Sequence, residues 1–180
     1  MESTALVALL QQAVPDATID LAPSADALPT VIVSRDHVLA VCTTLRDHPD
    51  LRFTLLELTA VDRWPHVPRF DVHYILVSLP HHRRLRMKVR LDGDDAHVVT
   101  VSNVWPCANW LEREVWDLFG IAFDEHPDPR RLLMPDDWEG HPLRKDYPVQ
   151  IRMTPKTTEA IQVTEAEFKA NLLRDRLSRR

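Results

Sequence analysis

The apolar positions of this chain change period along its length, and each change marks an element. Leu6, Leu9, Leu10 and Ala13 share one helical face, with Ser3 placed to cap the start and Pro15 to close the end. Thr30 to Val33 reads as a short β-branched strand. Ser34 then caps a second helix, in which Val38, Val41, Cys42 and Leu45 recur at i, i+3, i+4 and i+7. Three strands follow, over Leu51 to Val61, Phe70 to Leu79 and Arg84 to Leu91. In the third, Leu85, Met87, Val89 and Leu91 alternate with Arg84, Arg86, Lys88 and Arg90. Asp92-Gly93-Asp94-Asp95 makes a turn into a strand at His97 to Val101. A helix from Ala108 to Phe119 ends at Gly120, the usual C-terminal residue.

Beyond Gly120 the periodicity stops. Six of the 14 prolines lie between Pro127 and Pro155, which excludes long helices and central strands there. Helical patterning returns with a capping box at Thr164 and Glu167, a staple of Val163 on Phe168, and Leu172 on the same face. The expected fold is α+β: a single domain with a mixed or antiparallel sheet packed by helices, then an extended C-terminal arm and a terminal helix. The boundaries are 1–120 for the domain, 121–155 for the arm and 156–180 for the helical tail.

Composition narrows the function by what it excludes. No apolar run approaches the roughly 20 residues of a membrane-spanning helix. Acidic Glu2, Asp16, Asp20 and Asp26 precede the first arginine, Arg35, the reverse of a signal or transit peptide. A protein kept on the cytosolic side is expected. The net charge of −5 gives no general attraction to nucleic acid. Gly93, Gly120 and Gly140 are the only glycines, so no phosphate-cradling glycine loop can be written. Cys42 and Cys107 make neither a disulfide framework nor the four thiolates of a cubane cluster, and both read as reduced, partly buried thiols.

The densest polar chemistry lies between Trp110 and Pro148. On the helix, Leu111, Val115, Leu118 and Phe119 form the apolar stripe, while Trp110, Glu114 and Asp117 read as a solvated neighbouring face. The arm mixes both charge signs with aromatics at His126, Arg130, Arg131, Asp136, Asp137, Trp138, His141, Arg144, Lys145, Asp146 and Tyr147. It also carries Leu132, Leu133, Met134 and Leu143, unlike a disordered linker. An extended segment must satisfy its backbone against something, and a strap laid across another protein fits. His126, Asp128, Asp136, Asp137, His141 and Asp146 are metal-ligand types, but no spacing puts two on one face, and ion pairing is the better reading. The row of Arg83, Arg84, Arg86, Lys88 and Arg90 lacks the aromatics of an RNA-binding sheet and reads as solvated or edge-protecting; docking to an acidic neighbour comes second. His81 and His82 read as exposed turn residues.

Glu112-Arg113-Glu114, Asp117, Gly120-Ile121, Phe123, His126-Pro127-Asp128 and Arg130-Arg131 fit the pattern E-R-E-x-x-D-x-x-G-I-x-F-x-x-H-P-D-x-R-R. Gly140-His141-Pro142-Leu143-Arg144-Lys145-Asp146-Tyr147-Pro148 follows. Together they resemble the signature of the complex I thirty-kilodalton subunit family. The resemblance implies a non-redox structural subunit of the peripheral arm of a proton-translocating NADH:quinone oxidoreductase. Such a protein packs on the quinone-site D subunit at the cytoplasmic face of the inner membrane. FMN and iron–sulfur clusters would lie in partner subunits, with no cofactor, metal or catalytic residue in this chain. Trp138 joins the matched residues as an expected interface anchor. Glu112, Glu114 and Asp117 are expected to pair with Arg130, Arg131, Arg144 or Lys145, or with partner charges. The alternatives are the same role in a membrane-bound hydrogenase, a deazaflavin- or ferredoxin-linked dehydrogenase or the photosynthetic complex, and, from a different class, a metal-dependent hydrolase using the arm's His and Asp residues.

Overall fold

The computed structural model describes residues 3–148 and Lys169. Helix α1 (Ser3–Ala13) leads to β1 (Ile19–Ala22) and β2 (Thr30–Val33). A 3-10 turn (Arg35–His37) runs into α2 (Val38–Asp47). Then come β3 (Thr54–Asp62), β4 (Phe70–Ser78), β5 (Arg83–Leu91), β6 (His97–Val99), α3 (Ala108–Phe119) and β7 (Ala122–Asp124). Five strands form one mixed sheet in the order β1-β2-β5-β4-β3. Only the β2–β5 pair is parallel, with Val31 opposite Met87; its other pairs are antiparallel. Strands β6 and β7 make a separate parallel pair. This is the α+β architecture expected from the order of periods.

Strand alternation decides which sheet face is buried. Val72, Tyr74 and Leu76 of β4 and Leu85, Met87, Val89 and Leu91 of β5 point into the core. There they meet Leu6 and Leu10 of α1, Val38, Val41, Cys42 and Leu45 of α2, and Val115 of α3. Each fully buried Val, Leu or Met among them contributes about 1.5–3 kcal/mol of apolar burial. Strand β3 keeps phase only through a bulge between Leu55 and Glu57, which turns Leu56 outward and returns Leu58 and Ala60 to the core.

The structure corrects several expectations. Strands β1 and β7 are additional to the predicted elements; with four and three residues they are too short to show a period. The strand expected from Leu51 starts at Thr54, because Leu51 and Phe53 are buried in a turn that closes on Ser78, whose hydroxyl donates to the Leu51 carbonyl. The strand expected to reach Val101 stops at Val99. The Ser34 hydroxyl meets His37 Nδ1 (3.0 Å) and caps no helical N–H. Strand β5 is the middle strand, so its basic row protects no edge. His82 is exposed, whereas His81 is half-buried with Nε2 at the Pro49 carbonyl. Cys42 is buried as expected; Cys107 is exposed.

The compact unit containing the sheet ends at Tyr147, so the first part of the arm packs with the domain. The arm after Pro148, the capping box at Thr164 and Glu167 and the staple of Val163 on Phe168 lie outside the described residues.

Candidate functional site

Helix α3 buries a line of charge. Glu112 and Asp117 are fully buried and Arg113 nearly so, whereas Glu114 and the apolar Leu111 and Leu118 are only half-buried. The expected solvated face is therefore wrong for Asp117, and the apolar stripe shifts to Ala108, Val115 and Phe119. The reason lies in what covers the helix: a polar chain that brings its own N–H and C=O groups.

Each buried charge is satisfied differently. Glu112 Oε1 accepts the Val101 N–H (2.7 Å) and Oε2 the Thr100 hydroxyl (2.5 Å). Among the described residues no arginine or lysine reaches it. Burial therefore dominates over these hydrogen bonds and raises its carboxyl from the usual 4.5 to about 7. Nearby, burial and then Glu112 raise the Cys42 thiol, and burial raises the Tyr74 phenol, whose buried oxygen lacks a partner among the described residues. His126 Nδ1 accepts the Asp128 N–H (3.0 Å), leaving the proton on Nε2. That nitrogen lies 3.1 Å from the Asn109 carbonyl and 3.7 Å from Glu112.

Asp117 is the opposite case. Its Oδ2 accepts the backbone N–H groups of Leu132 (3.0 Å), Leu133 (2.7 Å) and Met134 (2.8 Å), and its Oδ1 meets the Arg131 guanidinium at 2.6 Å. Burial alone would raise this carboxyl; the four donors outweigh it and hold the pKa below the ordinary value. Arg131 continues to the carbonyls of Trp138 and Gly140, bridging helix and arm. Arg113 does the same from the helix, donating to the carbonyls of Arg130 and Arg131 (3.0 Å each) and lying 3.3 Å from Asp128.

The end of α3 shows what the second half of the motif does. Gly120 N–H closes on the Trp116 carbonyl in the left-handed conformation (φ 72°). The next carbonyls have no helical donor. His141 Nδ1 takes that of Asp117 (3.0 Å), the Leu143 N–H that of Leu118 (3.0 Å), and Arg144 those of Phe119 and Gly120. Arg144 also places its positive charge at the negative end of the helix dipole. A Cβ at Gly120 would lie 2.4 Å from His141 and 2.5 Å from Arg144, so both the backbone angle and the space demand glycine.

The β3–β4 loop anchors the arm's last described residues. Asp62 accepts from Arg69 (2.8 Å), the Trp64 N–H (2.9 Å) and the Lys145 N–H (2.8 Å), and Arg69 turns on to Asp146 (2.6 Å). Burial pushes the Asp62 pKa up, but these donors bring it down to about 2. The Tyr147 hydroxyl donates to the Glu139 carbonyl (3.0 Å) and its ring stacks on Trp138. Tyr147 also fills the space beside Gly140 (φ 80°) that a Cβ would need.

The expected strap across another protein is therefore corrected over residues 121–147: its backbone complement is its own helix and hairpin loop. Of the expected pairs, Asp117–Arg131 forms. Glu112 takes neutral donors, Glu114 has no ion pair among the described residues, and Arg144 serves carbonyls. Phe123 is buried in β7, Pro142 half-buried, and Pro127, Arg130 and Lys145 are exposed. Asp62 and Arg69 escaped the sequence reading; an Asp–Arg pair flanking a proline-rich hairpin loop was the available signal. Among the described residues no group of three or more His, Cys, Asp or Glu could hold a metal ion.

Outward from the latched arm stand Trp110, Leu133 and Leu143, each more than half exposed. Single exposed apolar residues are ordinary; what sets Leu133 and Leu143 apart is that each sits beside a backbone N–H fixed on α3.

A family model described as the 30 kDa subunit of the respiratory-chain NADH dehydrogenase matches residues 31–152. The NADH-quinone oxidoreductase C subunit of Saccharopolyspora erythraea is 51% identical over 122 residues, 67% of this chain and 49% of that protein. The same-named protein of Geotalea uraniireducens is 50% identical over 122 residues, 73% of its length. The chain thus spans about half of the first relative and about three quarters of the second. The NADH-quinone oxidoreductase C/D subunit of Psychrobacter sp. is 43% identical over 156 residues, 26% of that longer protein. Among solved structures, the trypsin-resistant fragment of Nqo5 matches with a TM-score of 0.52 and 29% identity, covering 68% of this chain and 98% of the fragment. A chain of the membrane-bound sulfane sulfur reductase, an archaeal respiratory membrane complex, shares the fold at TM-score 0.66 and 24% identity, covering 83% of this chain and 87% of that one. With its signature helix and arm inside the matched region, the chain belongs to the 30 kDa subunit family of the respiratory-chain NADH dehydrogenase.

Proposed function

We propose that this chain is a non-redox structural subunit in the peripheral arm of an NADH:quinone oxidoreductase. It packs on the quinone-site D subunit at the cytoplasmic face of the inner membrane, and electrons pass from NADH to quinone through FMN and iron–sulfur clusters held by other subunits. The observation that carries this reading is the latched arm. Asp117, Arg131, His141 and Arg144 turn toward the helix end to fix a proline-rich ribbon on α3, and the ribbon is left presenting Leu133 and Leu143 to solvent. An ordered apolar surface loses little entropy on docking. Relatives named as a joint C/D polypeptide support the quinone-site protein as the partner. Two cysteines, one of them sealed in the core, favour redox centres elsewhere. No helix among the described residues is long and apolar enough to cross a membrane, consistent with attachment through the complex.

Co-expression with the quinone-site partner tests the reading. Leu133→Asp with Leu143→Asp should leave the melting temperature of the isolated chain within a few degrees of wild type and abolish co-purification. Unchanged co-purification would remove the arm from the interface. The isolated chain should transfer no electrons from NADH to quinone. The fold shared with the sulfane sulfur reductase complex favours a second reading, the equivalent position in a related respiratory membrane assembly. The electron donor accepted by the purified assembly separates the two.

A further inference from the structure

The far end of the sheet carries a second, unlike surface. Strand β4 runs nine residues from Phe70, beside the loop that holds the arm, to Ser78. At about 3.4 Å per residue those ends are about 27 Å apart. At the Ser78 end, Leu6 of α1, Pro29, Leu51 and Phe53 wall a cleft of about 230 Å³, with Arg83 and Arg84 at its lip. Leu79 stands beside Ser78, the strand partner of Arg83, and is 73% exposed.

The charges there are unusual for this molecule. Arg35, Arg46, Arg63, Arg69, Arg86, Arg90, Arg113, Arg130 and Arg131 each lie within ion-pair distance of a carboxylate. Arg83 and Arg84 have no carboxylate partner among the described residues, although the whole chain carries five excess negative charges. Arg52, between the lining residues Leu51 and Phe53, is likewise exposed and without one. Guanidinium groups are the side chains best suited to bidentate capture of a carboxylate. The cleft falls below the ~300–1,000 Å³ typical of small-molecule and cofactor sites, and suits one or two apolar side chains.

We infer that the cleft at the Ser78 end of the sheet docks an acidic segment of a neighbouring subunit. One apolar side chain enters between Leu6 and Phe53, and an adjacent Asp or Glu pairs with Arg83 and Arg84. The inference rests on the subunit reading above but concerns a surface separate from the arm. A chain held at both ends of its sheet bridges two neighbours, where a one-sided subunit would cap one.

Photo-crosslinking in the assembled complex tests it. A photoreactive amino acid is placed at Leu79 in one full-length chain and at Leu143 in another, and adducts are sequenced by mass spectrometry. The Leu79 adduct should fall on another subunit's peptide that carries an acidic residue within about two positions of an apolar one. Adding Arg83→Glu and Arg84→Glu should cut that adduct at least tenfold and leave the Leu143 adduct unchanged. The doubly substituted isolated chain should melt like wild type, since neither arginine holds an ion pair among the described residues. The inference is overturned if Leu143 cross-links but Leu79 does not, or if the Leu79 adduct is to lipid, to a second copy of this chain or to its own residues 149–180. Failure at both positions would sink the subunit reading along with it.

Discussion

Glu112 and Asp117 lie five residues apart on α3, both fully buried, and their protons respond in opposite directions. Among the described residues Glu112 accepts from the Thr100 hydroxyl and the Val101 N–H and from no arginine or lysine, so burial raises its pKa to about 7. The folded state then binds a proton that the unfolded chain has released between about pH 4.5 and 7. Its stabilising contribution is complete below the ordinary carboxylate value and is lost as pH rises through about 7. We predict that Glu112→Gln abolishes this slope. Urea unfolding of wild type and variant at pH 5 and pH 8 should differ by about 3 kcal/mol in the variant's favour at the higher pH. Parallel pH profiles would contradict the burial of an ionisable Glu112. Asp117 has its pKa depressed, so its contribution is present above the ordinary carboxylate value and fades as pH falls through the lower folded one. Asp117→Asn turns an amide toward the guanidinium and three N–H groups that now meet oxygen. It should destabilise the fold by about 3–5 kcal/mol, read from denaturant midpoints.

At the scale of elements, periodicity carried the strands and helices well where an element meets the core with one face. Alternation in β5 and the spacing in α2 and α3 put the boundaries within a few residues. It misjudged α3's polar side, because period alone cannot say that a proline-rich segment will cover it. A signal was present: Glu112 lies on the line of Ala108, Val115 and Phe119, and a carboxylate on an apolar stripe points to buried hydrogen bonds. Likewise the arm's prolines indicated an extended backbone, while its partners emerged only from three-dimensional meeting of α3 carbonyls with His141, Leu143 and Arg144. The helix end and the arm therefore stand or fall together. Gly120→Ala forces a side chain into the left-handed region, worth about 1–2 kcal/mol, and drives its Cβ into His141 and Arg144. The expected result is a lower melting temperature together with new trypsin cleavage at Arg144 or Lys145. Stability loss without arm release would mean that the cap does not hold the arm.

For the whole molecule, the consequence is that the arm up to Tyr147 belongs to the same cooperative unit as the sheet. Its attachments are spread along its length and include Arg113 with the Arg130 and Arg131 carbonyls, Asp117 with Arg131, the end of α3 with His141 and Arg144, and the Asp62–Arg69 pair with Lys145 and Asp146. A ribbon held only by surface ion pairs would fray independently, since exposed pairs contribute about 0–1 kcal/mol each. Here the anchoring carboxylates of Asp117 and Asp62 are buried, and backbone N–H groups supply several of the donors. Native-state hydrogen exchange distinguishes the two behaviours. The amides of Leu132, Leu133, Met134 and Lys145 should exchange with opening free energies close to those of β4 amides, although they lie in no helix or strand. Asp62→Asn removes the charge that holds the Lys145 end while leaving the Asp117 anchor in place. We predict that it speeds exchange at Lys145 at least tenfold and leaves Leu133 protected until the melting transition itself moves. If instead Lys145 and Leu133 lose protection equally at unchanged global stability, the arm opens as one piece from its far end. The surface offered to a partner would then form on docking instead of standing ready beforehand.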